Sequence, residues 1–505
     1  MVADTLPQIW RGQAASQGPL LICDSERLSY ADAEHRSALL ARRLIGLGLG
    51  RGSHVGVLYP NGGSFVVAVL AAARIGAVVV PFATFATAPE LRFQLSHADV
   101  QVLLAAESYR SHDYRRRLSE VLDDVDINCD EMLFSVHAPQ LRRVIFDADR
   151  PCADLAGPEL LTALETDVDG SDPLVIIYTS GSSGTPKGVV HTHAGLLGHQ
   201  RYLNEVCGIT PADIHFSNSP FFWIGGFAFA LLGTVLAGST LLCSNATDAS
   251  ETLDLLEAER PTLANGFASG VAGLIHHPSL AARDLSSVRR GNLYPIMAPD
   301  VRPDDPGLRH GMLGMTETGG PVLLSDDATD QPEHRRGSFG RPAPGIECRV
   351  DDGELLIRGR HVMQRYHRRS REECFDADGW FRTGDQVRTD ADGFYYFLGR
   401  RDTMIKTAGA NVSPAEVERA IAKVTGVTAH VIGIPDPDRG QVVAAVLVGA
   451  DIDTGALREL LCAELSAYKI PRRFTTVAPG AVPLLSSGKV DLRRLADLFA
   501  AVPNA

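Results

Sequence analysis

The chain holds 505 residues, 45% of them hydrophobic and 22% charged, with a formal net charge of −13. That is too long for one hydrophobic core, so two or more domains of a soluble globular protein are expected. The acidic balance speaks against a nucleic-acid partner, which needs a basic footprint. No uncharged apolar stretch of about 18 residues forms a membrane span. The most apolar candidate, Phe221 to Leu242, is broken by glycines and reads as buried core.

The start, Met1 to Gln13, has no basic-then-apolar signal. Eight cysteines (23, 129, 152, 207, 243, 348, 374 and 462) form no C-x-x-C pair. Reduced thiols in a cytoplasm are expected, rather than disulfides or a zinc site. Residues 28–50 read as a short extended start and a helix, with Leu39, Leu40, Leu44 and Leu47 at helical spacing. Gly46, Gly48 and Gly50 then stop it. Strands are expected at Val55–Tyr59, Ala77–Pro81 and Gln101–Ala105, with an Ala/Val-rich helix at Ser64–Ile75. Strands alternating with helices predict a parallel, doubly wound sheet, hence an α/β fold. Residues 107–170 carry no recognisable chemistry, and Arg115 to Arg117 read as a solvated helix face.

The apolar run Leu174–Tyr178 predicts a buried strand. It leads into Thr179-Ser180-Gly181-Ser182-Ser183-Gly184-Thr185-Pro186-Lys187-Gly188. Glycines allow a close approach and φ > 0, and successive N–H groups can then form an anion nest. Hydroxyls add donors and Lys187 adds charge. The segment does not fit G-x-x-x-x-G-K-[ST]: counted from Gly181, Pro186 stands in the place for glycine, and Gly188 rather than serine or threonine follows Lys187. A helix is expected from about Ala194 to Val206. His191 and His193 lack the further ligands of a metal site and read as structural.

The order Thr179–Gly188 resembles the phosphate loop of the adenylate-forming superfamily, which includes acyl-CoA synthetases, free-standing adenylation domains and beetle luciferases. Further motifs follow in that family's order, and the resemblance covers essentially the whole chain. Pro220–Phe227 is similar to its acyl-pocket segment, with Trp223 where histidine is usual. Asn265–Gly270 matches a second pocket turn. Ile296-Met297-Ala298-Pro299 stands where a glycine-glycine-alanine-proline turn is usual, and Leu313-Gly314-Met315-Thr316-Glu317 where that family has tyrosine-glycine-x-threonine-glutamate. The thirteen residues between them, 300–312, hold two prolines and two glycines, so no connecting helix is expected. Gly353–Gly359, Asp378–Asp385 and Gly393–Asp402 continue the match, as does Pro483–Lys489 at the end of the chain.

The resemblance implies a large N-terminal domain with doubly wound sheets, residues 1–400. It also implies a small mobile α+β domain, residues 401–505, with a hinge near Asp402. In that second domain Ser413-Pro414-Ala415-Glu416 opens a helix with a capping box. Strands are expected at Val427–Ile434 and Val442–Val448, and a helix near 454–466.

The implied reaction joins a carboxylic acid to ATP, releases pyrophosphate, and passes the acyl group to the thiol of coenzyme A. Both first reactants are anions, so the site must hold them together and neutralise charge. ATP or AMP binding falls to Thr179, Ser180, Gly181, Ser182, Ser183, Gly184, Thr185, Lys187, Gly314, Met315, Asp385 and Arg400. Thr316 faces the α-phosphate, Glu317 binds Mg²⁺, and Asp385 with Arg400 clamps the ribose. Lys489 is the catalytic cation. Phe222, Trp223, Phe227, Phe267, Met297 and Ala298 line an acyl pocket for an apolar, aromatic or bulky acid. Lys406 and Gly409 border the coenzyme A tunnel.

Fatty acyl-AMP ligases resemble acyl-CoA synthetases but carry an insertion between the Gly359 and Gly379 motifs; only residues 360–378 lie there, so the resemblance implies coenzyme A rather than a carrier protein's phosphopantetheine. No acid stands in Phe221–Phe227 to pair an amino-acid ammonium. A carrier-loading acyl-AMP ligase and a non-catalytic adenylate-binding homologue are the alternatives. A homodimer is compatible with the scaffold.

Overall fold

The structure, a computed structural model, describes residues 4–16, 18–129, 131–146, 148, 155–179, 186–266, 271–401, 403–407, 410–436, 439–449, 452–462, 464–465, 469–485 and 489–500. The chain divides into two compact units, residues 1–347 with 358–379, and residues 348–357 with 380–505.

The first unit is organised around the Gly63–Arg74 helix, in which every residue but Ser64 is buried. Its sequence, GSFVVAVLAAAR, has no polar face, and a helix apolar all round must be covered on all sides. Two sheets supply the cover. One has six strands in the order 290–291, 263–265, 214–217, 240–243, 19–23 and 26–29, parallel except for the last pair. The other has seven, in the order 365–366, 187–192, 173–179, 78–81, 54–58, 102–105 and 143–145. A single core runs from Leu20, Leu21 and Leu241 through Phe65 and Val69 of the helix to Val55, Val57 and Val175. The helix ends in buried Arg74, whose guanidinium pairs with Glu34 at 2.9 Å and Glu165 at 2.5 Å. Removing both carboxylates would leave a buried charge uncompensated.

The seven-stranded sheet is parallel only from 173–179 onward. Lys187–Thr192 is a strand antiparallel to Pro173–Thr179, with Lys187 opposite Thr179, and Arg365–Tyr366 adds antiparallel to it. The phosphate-loop motif is therefore the connection of a hairpin whose two ends lie in strands. The helix that follows spans His193–Cys207 and is capped by Thr192 and by left-handed Gly208. Residues 300–312 hold one 3₁₀ turn, Pro306–Leu308, and no α-helix, as their prolines and glycines require.

The second unit contains strands at 381–389 and 395–400 and a sheet of 410–412, 405–407, 440–448 and 429–436, with 473–477 parallel to 440–448. Period-2 alternation of Gly440–Val448 places Val443, Ala445 and Leu447 under the helices Pro414–Thr425 and Thr454–Cys462. Val442, Ala444 and Val446 face Leu495 and Phe499 of the last helix. Pro414 begins its helix after Ser413, whose hydroxyl accepts the Glu416 N–H at 3.4 Å.

Candidate active site

The phosphate side starts at the hairpin. Thr179 and Lys187 face each other across it, and the loop residues Ser180 to Thr185 lie outside the described residues. Tyr178, one residue before the loop, is anchored by a 2.6 Å contact between its hydroxyl and His97 Nδ1. Lys187 Nζ sits 5.1 Å from the centre of the Tyr366 ring, within cation–π range. The Tyr366 hydroxyl donates to Glu317 Oε1 at 2.7 Å. Burial, and after it the Glu317 carboxylate, hold this phenol's pKa above its ordinary value, so it remains a donor. Three segments far apart in sequence thus bring a cation and a carboxylate onto one aromatic ring. Tyr366 had no motif of its own to mark it.

Thr316–Thr318 is a single 3₁₀ turn between the short strands Leu313–Met315 and Gly320–Leu324. Gly314 lies opposite Pro321, and Met315 opposite Gly320. Gly319 closes the turn at φ +70, a conformation that costs glycine least. His191 and His193 are structural, as expected. His191 Nε2 meets the Thr316 carbonyl at 2.6 Å, and His193 Nδ1 accepts the Leu6 N–H at 3.1 Å. Burial pushes the His191 pKa down to about 4, partly offset by its bond to the Thr316 carbonyl. The imidazole is therefore neutral near pH 7, with its hydrogen on Nε2.

On the acyl side, Phe222 and Trp223 pack edge to face at 5.7 Å, and Phe85 meets them at 5.3 and 6.2 Å. Phe85 lay outside the family motifs and was missed. Asn61 fixes this segment: its Oδ1 accepts the Phe221 N–H at 2.8 Å and its Nδ2 donates to the Ser219 carbonyl at 3.1 Å. An Asn-Gly pair after a strand was the available signal. Phe227 is fully buried in the main core, edge to face with Phe65 at 6.5 Å. Met297 packs with Phe216 and Leu293 in the core of the six-stranded sheet, and Ala298 is buried beside it in sequence. Phe267 lies outside the described residues.

In the second unit, Asp385 and Arg400 are cross-strand partners, with Nε 3.2 Å from Oδ1. Arg400 also donates to the Thr383 carbonyl at 3.1 Å. Asp385 is 4% exposed, whereas the Arg400 side chain is 47% exposed. The buried Glu354 carboxylate accepts from the Gly384 N–H, Arg382 and Arg401 at 3.0, 2.9 and 2.8 Å. It holds the strand that carries Asp385 and is a further residue that sequence reasoning missed. Lys489 is exposed, and its carbonyl accepts the Leu485 N–H at 2.7 Å. Lys406 lies in the strand Ile405–Thr407; its side chain, Asp402 and Gly409 are outside the described residues.

The model of the AMP-binding enzyme family matches residues 10–367, and that of the AMP-binding enzyme C-terminal domain matches residues 416–489. The chain belongs to the AMP-binding enzyme family. It is an AMP-forming acid–thiol ligase of the acyl-CoA synthetase kind, built on the adenylate-forming fold. A feruloyl-CoA synthase from an Amycolatopsis species is 30% identical, over 92% of this chain and 92% of that protein. A long-chain-fatty-acid–CoA ligase from Bacillus subtilis is 27% identical, over 94% and 90%. The ATP-bound structure of MatB from Rhodopseudomonas palustris shares the fold with a TM-score of 0.80 at 23% identity, over 99% of this chain and 100% of that one. For this AMP-binding enzyme the first match spans the hairpin, Glu317 and Tyr366, and the second ends on Lys489. Among the described residues no helix is long and apolar enough to cross a membrane.

Proposed function

We propose that this ligase activates an apolar, aromatic or bulky carboxylic acid as its acyl-adenylate. It then transfers the acyl group to coenzyme A, giving acyl-CoA and AMP. The observation that carries the reading is the Lys187–Tyr366–Glu317 arrangement, in which one ring holds a phosphate-seeking cation and a metal-seeking carboxylate. The loop Thr179–Thr185 with Lys187 grips the pyrophosphate end of ATP, and Thr316 meets the α-phosphate. Asp385 and Arg400 hold the ribose. Glu317 fits a hard cation: Tyr366 takes one lone pair of Oε1, and a carboxylate offers about four acceptor sites. Glu317 would hold Mg²⁺, which would supply charge neutralisation for the phosphates.

The acid's carboxylate oxygen bonds to the α-phosphorus as the bond to pyrophosphate breaks. Lys489 stabilises the charge at the reacting oxygens. Support for an aromatic or bulky acid comes from the Phe85–Phe222–Trp223 cluster and from a relative named feruloyl-CoA synthase. In this reading the mobile part begins at Arg401 with Asp402 as hinge, and Lys406 and Gly409 border the thiol's path. Compact units record contacts at rest, whereas a hinge is where φ and ψ change.

Separating the half-reactions tests this. Lys489→Ala is expected to slow ATP–pyrophosphate exchange by about 10²–10³-fold, while transfer from pre-made acyl-AMP to coenzyme A stays near wild type. Equal loss of both halves, or unchanged exchange, contradicts the assignment.

A further inference from the structure

The Thr316–Glu317 turn is bonded both within itself and from outside. Within it the Gly319 N–H donates to the Thr316 carbonyl at 3.1 Å and the Thr318 hydroxyl reaches the Gly320 and Met315 carbonyls at 2.7 and 3.1 Å, and the two glycines after it have positive φ. Carbonyls in and after it also meet donors from elsewhere: the Glu317 carbonyl takes the Met363 N–H at 2.7 Å, and three others take side chains. His191 Nε2 reaches the Thr316 carbonyl at 2.6 Å, Gln200 Nε2 the Gly319 carbonyl at 2.9 Å, and His199 Nε2 the Pro321 carbonyl at 2.9 Å. All three donors are buried, at 1%, 1% and 0% exposure. They come from one corner, the end of the Lys187–Thr192 strand and the helix that follows it. The same strand begins with Lys187.

We infer that His191, His199 and Gln200 are positioning residues: a rigid strand–helix corner that sets the place of Thr316 and Glu317 relative to Lys187. This rests on the reading of Glu317 as the Mg²⁺ carboxylate. A corner that carries the loop's cation at one end and grips the metal turn at the other fixes the spacing of the two charges that ATP must bridge. Close approach is built in, because a Cβ at Gly319 would come within 2.4 Å of Leu196 Cδ1 on the same helix. Any side chain there would require Leu196 to shift. Outer partners that aim a metal's ligands typically matter as much as about 10–100-fold in metal affinity.

The test compares His191→Leu, Gln200→Leu, His191→Gln and Glu317→Gln in the full-length enzyme. For each, pyrophosphate release is titrated with Mg²⁺ at fixed ATP, transfer from pre-made acyl-AMP is measured, and the unfolding temperature is recorded. His191→Leu and Gln200→Leu are expected to raise the Mg²⁺ needed for half-maximal release by about tenfold or more, with transfer near wild type. His191→Gln, which keeps an N–H donor, should recover most of the loss. Gln200→Leu covers the case in which His191→Leu does not fold. A wild-type Mg²⁺ response in the folded Leu variants overturns the inference, as does equal loss in both half-reactions or no advantage of Gln over Leu. If Glu317→Gln is impaired and the Leu variants are not, only the positioning role fails. If Glu317→Gln itself responds normally to Mg²⁺, the underlying reading fails and takes the inference with it.

Discussion

Tyr366 shows how a single side chain completes a site. Its ring lies under the Lys187 ammonium and its hydroxyl orients Glu317. Tyr366→Phe keeps the ring and removes the bond, so the ATP–Mg²⁺ affinity should fall by about 10-fold, the range for hydrogen bonds to charged groups. Tyr366→Leu removes both contacts and should fall further; equal effects of the two would show that the hydroxyl does nothing. Arg400→Lys keeps charge but loses the fork to Asp385 and Thr383, and should raise the KM for ATP with less change in kcat. The positions of Lys187, Glu317, Asp385 and Arg400 were legible because short local motifs mark them, and the roles proposed for them follow from the resemblance those motifs carry. Tyr366, Phe85 and Glu354 were not, since their importance comes from pairing with segments far away in the chain.

At the scale of elements, local period sufficed for Tyr30–Gly46, His54–Leu58, Gly63–Arg74 and Val102–Ala105, each starting within about two residues of expectation. The strand Lys187–Thr192 escaped because the loop motif swallowed its first two residues, leaving a short remnant. The apolar run Gly225–Leu232 forms a π-helical stretch, whose wider turn leaves no signature in hydrophobic spacing. Here neighbouring glycines separate cleanly. A Cβ at Gly226 would lie 2.1 Å from the Pro220 carbonyl oxygen, whereas one at Gly225 would have Ser219 Oγ nearest, at 3.7 Å. Gly226→Ala should therefore cost about 1–3 kcal/mol and lower the unfolding temperature, while Gly225→Ala should leave it nearly unchanged. Equal effects would contradict the close approach.

Across the whole molecule, several histidines are locked in as neutral groups. Burial pushes His191, His193 and His215 down to about 4 and His199 to about 3, from an ordinary value of 6.5. Between pH 6.5 and 4 the unfolded chain binds protons that the folded one refuses. Stability is then full above pH 6.5, falls as pH drops toward 4, and levels off below. Each histidine contributes a slope of at most about 1.4 kcal/mol per pH unit. Thermal unfolding should shift downward from pH 7.5 to pH 5, and a flat profile would show that these rings are charged when folded. The fold class was legible in the order of strands, helices and motifs. The acid was not, because the aromatic cluster proposed for its pocket brings Phe85 from one loop to the adjacent Phe222 and Trp223 of another.

The most direct measurement is a panel of aromatic, polycyclic and long-chain carboxylic acids given to the enzyme with ATP, Mg²⁺ and coenzyme A, with pyrophosphate followed and products read by mass. The account predicts pyrophosphate, AMP and the acyl-CoA of at least one apolar or aromatic acid in equal amounts, none of it without ATP. Pyrophosphate release with no acyl-CoA would contradict coenzyme A as acceptor, and no release with any acid would contradict adenylation itself.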